Sequence, residues 1–190
     1  MRVARRGTSA DVNLPNLITL ARILMVPVVV WAIAANRMLL AFILFLLAGV
    51  SDGVDGYLAK RFDMKSELGA YLDPLADKVL IVSIYVTLGI SDAVPRWLVI
   101  LVVSRDLMIV GAVMLSWLLG RPVAVRPLLV SKLNTVAQIV LAGLVLGSLG
   151  LDFDPGWLLT VVTVSVAALT LASIAAYVRE WVRHMGVAGA

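Results

Sequence analysis

The chain has 190 residues, of which 62% are hydrophobic and only 15% are charged, and its mean hydropathy is +1.02. Soluble domains are nearer half apolar and a quarter charged, so the composition excludes a soluble globule and indicates an integral membrane protein. With 16 basic and 12 acidic residues the net charge is +4; we attribute it to the positive bias of cytoplasmic membrane loops, not to nucleic-acid binding.

Six apolar spans are predicted, each about as long as a membrane helix requires. A polar segment, 1–13, precedes them and is expected to be a flexible cytoplasmic tail; Asn13 is placed to cap the first helix. No break between spans is long enough for a second domain, so we expect one membrane domain over 14–184 and a short tail over 185–190. The spans are Leu14–Ala35, Met38–Ala59, Ala70–Ile90, Trp97–Leu119, Leu128–Leu149 and Trp157–Tyr177.

The distribution of lysine and arginine predicts the orientation of the bundle. With the N-terminus inside, ten basic residues fall in the cytoplasmic segments, and only Arg37 and Arg96 fall on the opposite side. The positive-inside rule therefore predicts that both termini are cytoplasmic. The cytoplasmic set consists of Arg2, Arg5, Arg6, Lys60, Arg61, Lys65, Arg121, Arg126, Arg179 and Arg183.

Four aspartates in or beside spans two and three are the strongest chemical signal. Asp52 and Asp55 are three residues apart, and Asp73 and Asp77 are four apart, so each pair shares a helix face. The two spans are antiparallel neighbours in sequence, which lets the faces meet at the cytoplasmic edge. Charge at membrane depth is costly and usually functional.

Four facing carboxylates repel one another unless they are protonated or bridged by cations. An all-oxygen site without nearby His or Cys favours hard ions such as Mg²⁺, Mn²⁺ or Ca²⁺, and a pair of such ions assists phosphoryl chemistry. Gly56 and Gly69 would let a phosphate or a backbone approach closely. The alternative is structural: the four carboxylates could pair with Lys60, Arg61, Lys65 and Lys78 at a wet interface.

These residues together resemble the signature of the CDP-alcohol phosphotransferases. One position departs, because Lys60 stands where that family usually has Arg, which keeps a cation but loses the bidentate fork. The family is a six-helix membrane bundle that acts as a homodimer, with the signature on helices two and three. The matching pattern is Asp52-x-x-Asp55-Gly56-x-x-Ala59-Lys60, eight residues, then Gly69-x-x-x-Asp73-x-x-x-Asp77.

The resemblance implies a role for each position. Asp52, Asp55 and Asp73 would ligate two divalent ions, Mg²⁺ or Mn²⁺, that hold the CDP pyrophosphate. Asp77 would ligate a metal or act as the general base that takes the acceptor's hydroxyl proton. The residues implied in CDP binding are Asp52, Asp55, Gly56, Ala59, Lys60 and Gly69.

Four further residues are candidates for binding an anionic acceptor or the donor's phosphates. They lie in the spans on the predicted cytoplasmic side; for the three cations, the alternative is that they reach lipid headgroups instead. Arg105 and Asp106, in the middle of span four, are predicted to form an internal ion pair. The four candidates are Asn16, Arg22, Lys132 and Arg179.

Two stretches resemble the CMP-forming cardiolipin synthases within that family, namely Ser104–Asp106 and Ser131–Gln138. This implies transfer of a phosphatidyl group from CDP-diacylglycerol to phosphatidylglycerol, giving cardiolipin and CMP. The enzymatic alternative is a phosphatidylglycerol phosphate synthase, which uses glycerol 3-phosphate as acceptor. A cation transporter lined by the four aspartates is a more remote alternative. No targeting extension is recognised, so we expect a bacterial inner membrane with a cytoplasm-facing site.

Overall fold

The computed structural model describes residues 14–62, 67–118 and 129–187, and every secondary-structure element in these ranges is a helix. Over the described residues, a helix lies at each of the six predicted spans. In chain order they are α1 (Leu14–Ala34), α2 (Met38–Phe62), α3 (Glu67–Ile90), α4 (Arg96–Leu118), α5 (Leu129–Leu151) and α6 (Trp157–Val187). The predicted Asn13 cap and the whole 1–13 tail assignment fall outside the described residues.

Helix α6 differs most from its predicted span, because it continues from Tyr177 through Val187. The added residues include Arg179, Glu180 and Arg183, which favour helix but lower the hydropathy. The apolar run therefore marks the stretch suited to lipid and misses the polar turns beyond it. As a result, residues 185–187 are helical where the sequence analysis placed a tail.

Three tight turns join helices at one end of the bundle, between α1 and α2, α3 and α4, and α5 and α6. Asn36, Asp92 and Asp152 occupy these turns with φ of 57°, 57° and 55°. Asn and Asp tolerate this left-handed conformation, which commonly ends a helix. At the first turn the Arg37 amide donates to the Ala32 carbonyl at 2.8 Å, so the chain reverses within a few residues.

The six helices pack as a closed ring in the order α1, α3, α4, α6, α5, α2, and α3 also packs against α5 across the interior. Buried aliphatic residues from the helices fill the centre, with Val29, Ile84, Leu98 and Leu146 fully buried. Between α2 and α5, Gly150 lies so close to Leu39 that an added Cβ would be 2.8 Å from its Cα. Helix contacts of this kind depend on small residues.

Large apolar side chains cover the outside of the bundle, among them Ile90, Leu129 and Trp157, each more than 70% exposed. Within the described ranges, two segments are long and apolar enough to cross a membrane, Leu129–Leu151 and Trp157–Glu180. Three shorter apolar helical segments, Leu20–Ala34, Met38–Ser51 and Lys78–Ile90, accompany them. This exterior is suited to lipid contact and not to water.

Candidate functional site

The signature positions lie on two uninterrupted helices. Helix α2 carries Asp52 and Asp55, and α3 carries Asp73 and Asp77, so the helical spacing assumed for each pair is confirmed. The side chains of the signature residues are outside what the structure describes, as is that of Asn16. The metal, CDP and catalytic roles of these residues therefore stay predictions.

The two aspartate pairs lie at matching depths along their helices. Residues 63–66 connect α2 to α3. At a rise of about 1.5 Å per residue, Asp52 and Asp77 each lie about 15 Å from the helix end beside that connection. Asp55 and Asp73 lie roughly 10 Å from it on the same scale. Helix α1 packs against both helices, so the pairs occupy one end of the bundle at two matched levels.

Their donor set fits a hard divalent cation, because all four ligands would be carboxylate oxygens. Among the described residues there is no group of three or more His, Cys, Asp or Glu that could hold a metal ion. The metal site on the signature aspartates, whose side chains the structure does not describe, stays a prediction.

Lys78, the residue after Asp77, joins α3 to α4 through an ion pair. Its Nζ donates to Oδ1 of Asp106 at 2.7 Å. The Lys78 side chain is 40% exposed, whereas that of Asp106 is 7% exposed. The structural alternative raised above paired Lys78 with the signature carboxylates; among the described residues, its partner is an aspartate on another helix.

Arg105 extends this contact into the interior. Its Nη1 donates to Asp106 Oδ1 at 2.5 Å, which confirms the predicted internal ion pair. Nε and Nη2 donate to Oγ of Ser173 on α6 at 3.2 and 3.0 Å, and Nη2 also donates to Oγ of Ser131 on α5. The guanidinium carbon lies 5.9 Å from the ring centroid of Tyr177. All three guanidinium nitrogens are thus engaged within the protein.

A second polar layer lies next to the first along α5 and α6. Asn134 accepts a hydrogen bond from the Thr170 hydroxyl at 2.9 Å, and the Tyr85 hydroxyl donates to the carbonyl of Gln138 at 3.0 Å. Asn134, Gln138 and Thr170 are completely buried. We call the two layers the polar seam. Its members are Lys78, Tyr85, Arg105, Asp106, Ser131, Asn134, Gln138, Thr170, Ser173 and Tyr177.

The sequence analysis missed several members of this seam. It did not single out Tyr85, Thr170, Ser173 or Tyr177, and it considered Lys78 only as a partner of the signature aspartates. A signal was present in α6, because Thr170, Ser173 and Tyr177 recur at intervals of three and four residues within an apolar helix. That spacing places them on one face.

The four acceptor candidates differ in environment. Arg22 on α1 is 1% exposed, which favours an internal role over contact with lipid headgroups. Lys132 and Arg179 are exposed, an environment that suits contact with lipid headgroups. Lys132 belongs to the stretch Ser131–Gln138, in which Asn134 and Gln138 are buried while Lys132 is exposed.

Comparison with known proteins agrees with the signature. The profile of the CDP-alcohol phosphatidyltransferase family matches residues 12–181. The chain is 36% identical to the chloroplastic CDP-diacylglycerol–glycerol-3-phosphate 3-phosphatidyltransferase 1 of Oryza sativa subsp. japonica, over 90% of the chain and 57% of that protein. It is 32% identical to the cardiolipin synthase (CMP-forming) of Rattus norvegicus, over 87% of the chain and 60% of that protein.

A bacterial relative is covered more fully. The chain is 36% identical to the CDP-diacylglycerol–glycerol-3-phosphate 3-phosphatidyltransferase of Bacillus subtilis, over 67% of the chain and 73% of that protein. By contrast, the chain spans less than two thirds of the length of the rice and rat relatives. Relatives with two different acceptor specificities in their names thus match this chain at similar identity.

Proposed function

Since the chain belongs to the CDP-alcohol phosphatidyltransferase family, we propose that it transfers a phosphatidyl group from CDP-diacylglycerol to phosphatidylglycerol, giving cardiolipin and CMP. The observation that carries the reaction class is the carboxylate signature on α2 and α3. The choice of acceptor rests on the stretches Ser104–Asp106 and Ser131–Gln138, which resemble cardiolipin synthases. The rat relative named cardiolipin synthase supports it.

In this proposal the four aspartates would hold two Mg²⁺ or Mn²⁺ ions that bind the donor's pyrophosphate. Bound there, divalent ions supply charge stabilisation for the reacting phosphate and the departing CMP. Asp77 takes the proton of the acceptor hydroxyl or completes the metal site; a neutral alcohol is a poor nucleophile without a base. Gly56, Ala59 and Gly69 leave room for the cytidine diphosphate, and Lys60 supplies a cation beside it.

The acceptor binds as an anion, and both candidate acceptors carry a phosphate. Arg22, Lys132 and Arg179 are the cations assigned to it, with Asn16 at the same level of the bundle. Arg22 is 1% exposed, so it is the internal member of this set, whereas Lys132 and Arg179 are exposed.

The proposed setting is a bacterial inner membrane crossed by all six helices, with both termini and the site on the cytoplasmic side and the chain paired as a homodimer. One membrane domain spans 14–184. The charge asymmetry of the loops and the apolar exterior support the membrane arrangement. The homodimer rests on the family resemblance alone.

The second candidate is synthesis of phosphatidylglycerol phosphate from glycerol 3-phosphate. The rice and Bacillus relatives, both named as glycerol-3-phosphate phosphatidyltransferases, favour it. The donor, the reaction class and the proposed metal site are the same in both candidates.

Acceptor competition decides between them. The chain is purified in mild detergent and given CDP-diacylglycerol with Mg²⁺ or Mn²⁺, and CMP release is followed with phosphatidylglycerol or glycerol 3-phosphate as the sole acceptor. CMP and cardiolipin formed only with phosphatidylglycerol support the proposal. Turnover only with glycerol 3-phosphate selects the second candidate, and no CMP with either acceptor from folded protein contradicts both.

A further inference from the structure

One part of the polar seam begins directly beside the proposed metal site. Lys78 follows Asp77 on α3 and is bound to Asp106 on α4. Asp106 is bound in turn to Arg105, which is held by Ser131 on α5 and Ser173 on α6. This series of side-chain contacts links the helical turn that carries Asp77 to three other helices, α4, α5 and α6.

We propose that the Lys78–Asp106–Arg105 chain fixes the rotation of α3, so that Asp73 and Asp77 meet the divalent ions in one geometry. The three are positioning residues and do not themselves touch metal or substrate. The inference rests on the proposed function, because the metal site that these three residues position is part of that proposal.

Simple stabilisation explains this arrangement poorly. Asp106 and Arg105 are 6% and 1% exposed, and a buried ion pair recovers little net stability over apolar packing because its charges lose hydration. Ligand binding explains it no better for Arg105, since each of its guanidinium nitrogens already donates within the protein. Holding α3 in one orientation against α4, α5 and α6 is a role in which all of these contacts take part.

The geometry shows why rotation matters. An α-helix with its side chains is about 10–12 Å across, so a turn of roughly ten degrees moves a side-chain tip by about 1 Å. Metal and catalytic sites tolerate errors of only about 0.5 Å. Lys78 is displaced by a single residue from Asp77, or about 1.5 Å along the axis. The ion pair at Lys78, which we call the tether, therefore restrains the same helical turn of α3 that carries Asp77.

Two variants with opposite charge changes test the proposal. Lys78→Met removes a positive charge and Asp106→Asn removes a negative one, and each abolishes the same ion pair, 2.7 Å long. Mn²⁺ binding to the full chain is measured by electron paramagnetic resonance in the presence of CDP-diacylglycerol. If the Lys78–Asp106–Arg105 contacts position the metal site, both variants weaken Mn²⁺ binding by about tenfold. Loss of supporting contacts has an effect of this size at other metal sites.

Through-space charge alone gives a different result. In that case Asp106→Asn weakens Mn²⁺ binding while Lys78→Met tightens it, and opposite signs overturn the proposal. The double variant, Lys78→Met with Asp106→Asn, is expected to bind Mn²⁺ no more weakly than Asp106→Asn alone, because the ion pair with Lys78 is already lost there. Additive losses in the double variant also overturn it.

The controls separate positioning from folding. Lys78→Arg keeps a cation and is expected to recover Mn²⁺ affinity to within about threefold of wild type. Asp92→Asn breaks the exposed pair with Arg96, 2.9 Å long, and Asn tolerates the positive φ at that turn, so binding is expected to be unchanged. If Asp106→Asn does not fold, Lys78→Met against Lys78→Arg decides, since equal affinities in those two overturn the proposal.

CMP release is measured on the same proteins. Slower turnover in parallel with weaker Mn²⁺ binding, at unchanged acceptor KM, supports the proposal. A wild-type chain that binds Mn²⁺ but releases no CMP with any acceptor contradicts the proposed function. In that case, the Mn²⁺ affinities of the variants still test whether the Lys78–Asp106 ion pair positions the metal site. A wild-type chain that is active, with both variants binding Mn²⁺ as wild type does, contradicts the tether alone.

Discussion

Replacement of Asp77 separates chemistry from substrate binding at the level of one side chain. Asp77→Asn keeps the size of the side chain but removes the basic oxygen, so CMP release is expected to fall by about 10²-fold or more. Binding of CDP-diacylglycerol is expected to persist, because three signature carboxylates remain. The measurement pairs steady-state CMP release with donor binding by the same purified protein.

The same variant distinguishes an enzyme from a cation transporter. A transporter lined by these aspartates would show altered ion flux in proteoliposomes and would release no CMP before the substitution either. Asp92→Asn, at an exposed turn on the other end of the bundle, serves as the matched control. Equal rates of CMP release by Asp77→Asn and wild type would show that Asp77 has no catalytic role.

Arg105 is expected to matter for stability because its removal leaves part of a buried network without a partner. Arg105→Met preserves length and apolar volume but deprives Asp106 and Ser173 of their shared donor. Lys78 still pairs with Asp106 in this variant, so the expected loss of stability is that of unsatisfied buried hydrogen-bond groups, about 1–3 kcal/mol. Unfolding in mixed micelles with rising SDS should show that loss, whereas Arg96→Met, at a 71% exposed pair, should cost less than about 1 kcal/mol.

Single residues also show what sequence could and could not predict. The Arg105–Asp106 pair was predicted correctly, because opposite charges adjacent in an apolar helix have few other ways to be neutralised. The Lys78–Asp106 contact was not, because it joins residues 28 apart in sequence and depends on how α3 and α4 are rotated. Spacing within a helix is local information, but rotation between helices comes from packing.

Between two elements, Gly150 sets how closely α5 approaches α2. A methyl group there would lie 2.8 Å from the Leu39 Cα, and the obstructing atom is backbone that cannot turn aside. Gly150→Ala should therefore separate the helices and lower the free energy of unfolding by about 1–3 kcal/mol. The higher helix propensity of Ala offsets roughly 1 kcal/mol of this loss. The same unfolding measurement applies.

Gly111 on α4 provides the control for this effect, because a Cβ added there would meet no atom within 4 Å. Gly111→Ala should leave stability unchanged or raise it slightly through helix propensity. Equal stabilities of the two variants would show that the α2–α5 contact yields easily and is not tightly packed.

Helix existence was predictable from the sequence, whereas helix ends were less so. Apolar runs of about twenty residues identify each helix because its backbone must be satisfied internally in lipid. The C-terminal part of α6, beyond Tyr177, was missed because Arg179 and Glu180 are helix formers that interrupt the apolar pattern. The motif positions on α2 and α3 needed only helical continuity, which is why their placement agreed.

For the whole molecule, the ring order α1, α3, α4, α6, α5, α2 could not be inferred from the spans. Sequence predicts that neighbouring helices run antiparallel, and short turns such as the one at Asn36 support that. It does not say that α1 separates α2 from α3 along the ring, or that α3 meets α5 across the interior. These contacts depend on the shapes of the helix faces, including the close approach at Gly150.

The proposed orientation in the membrane can be tested with single cysteines, because the chain contains none of its own. Ser91→Cys and Phe153→Cys place a thiol at exposed turns on the end opposite the aspartates. Glu180→Cys places one at an exposed position of α6 on the aspartate end. In intact bacterial cells expressing the chain, a membrane-impermeant maleimide should label the first two and should leave the third unmodified until the membrane is permeabilised. Labelling of Glu180→Cys alone in intact cells would invert the topology and place the carboxylate signature outside the cytoplasm, which contradicts the proposed orientation.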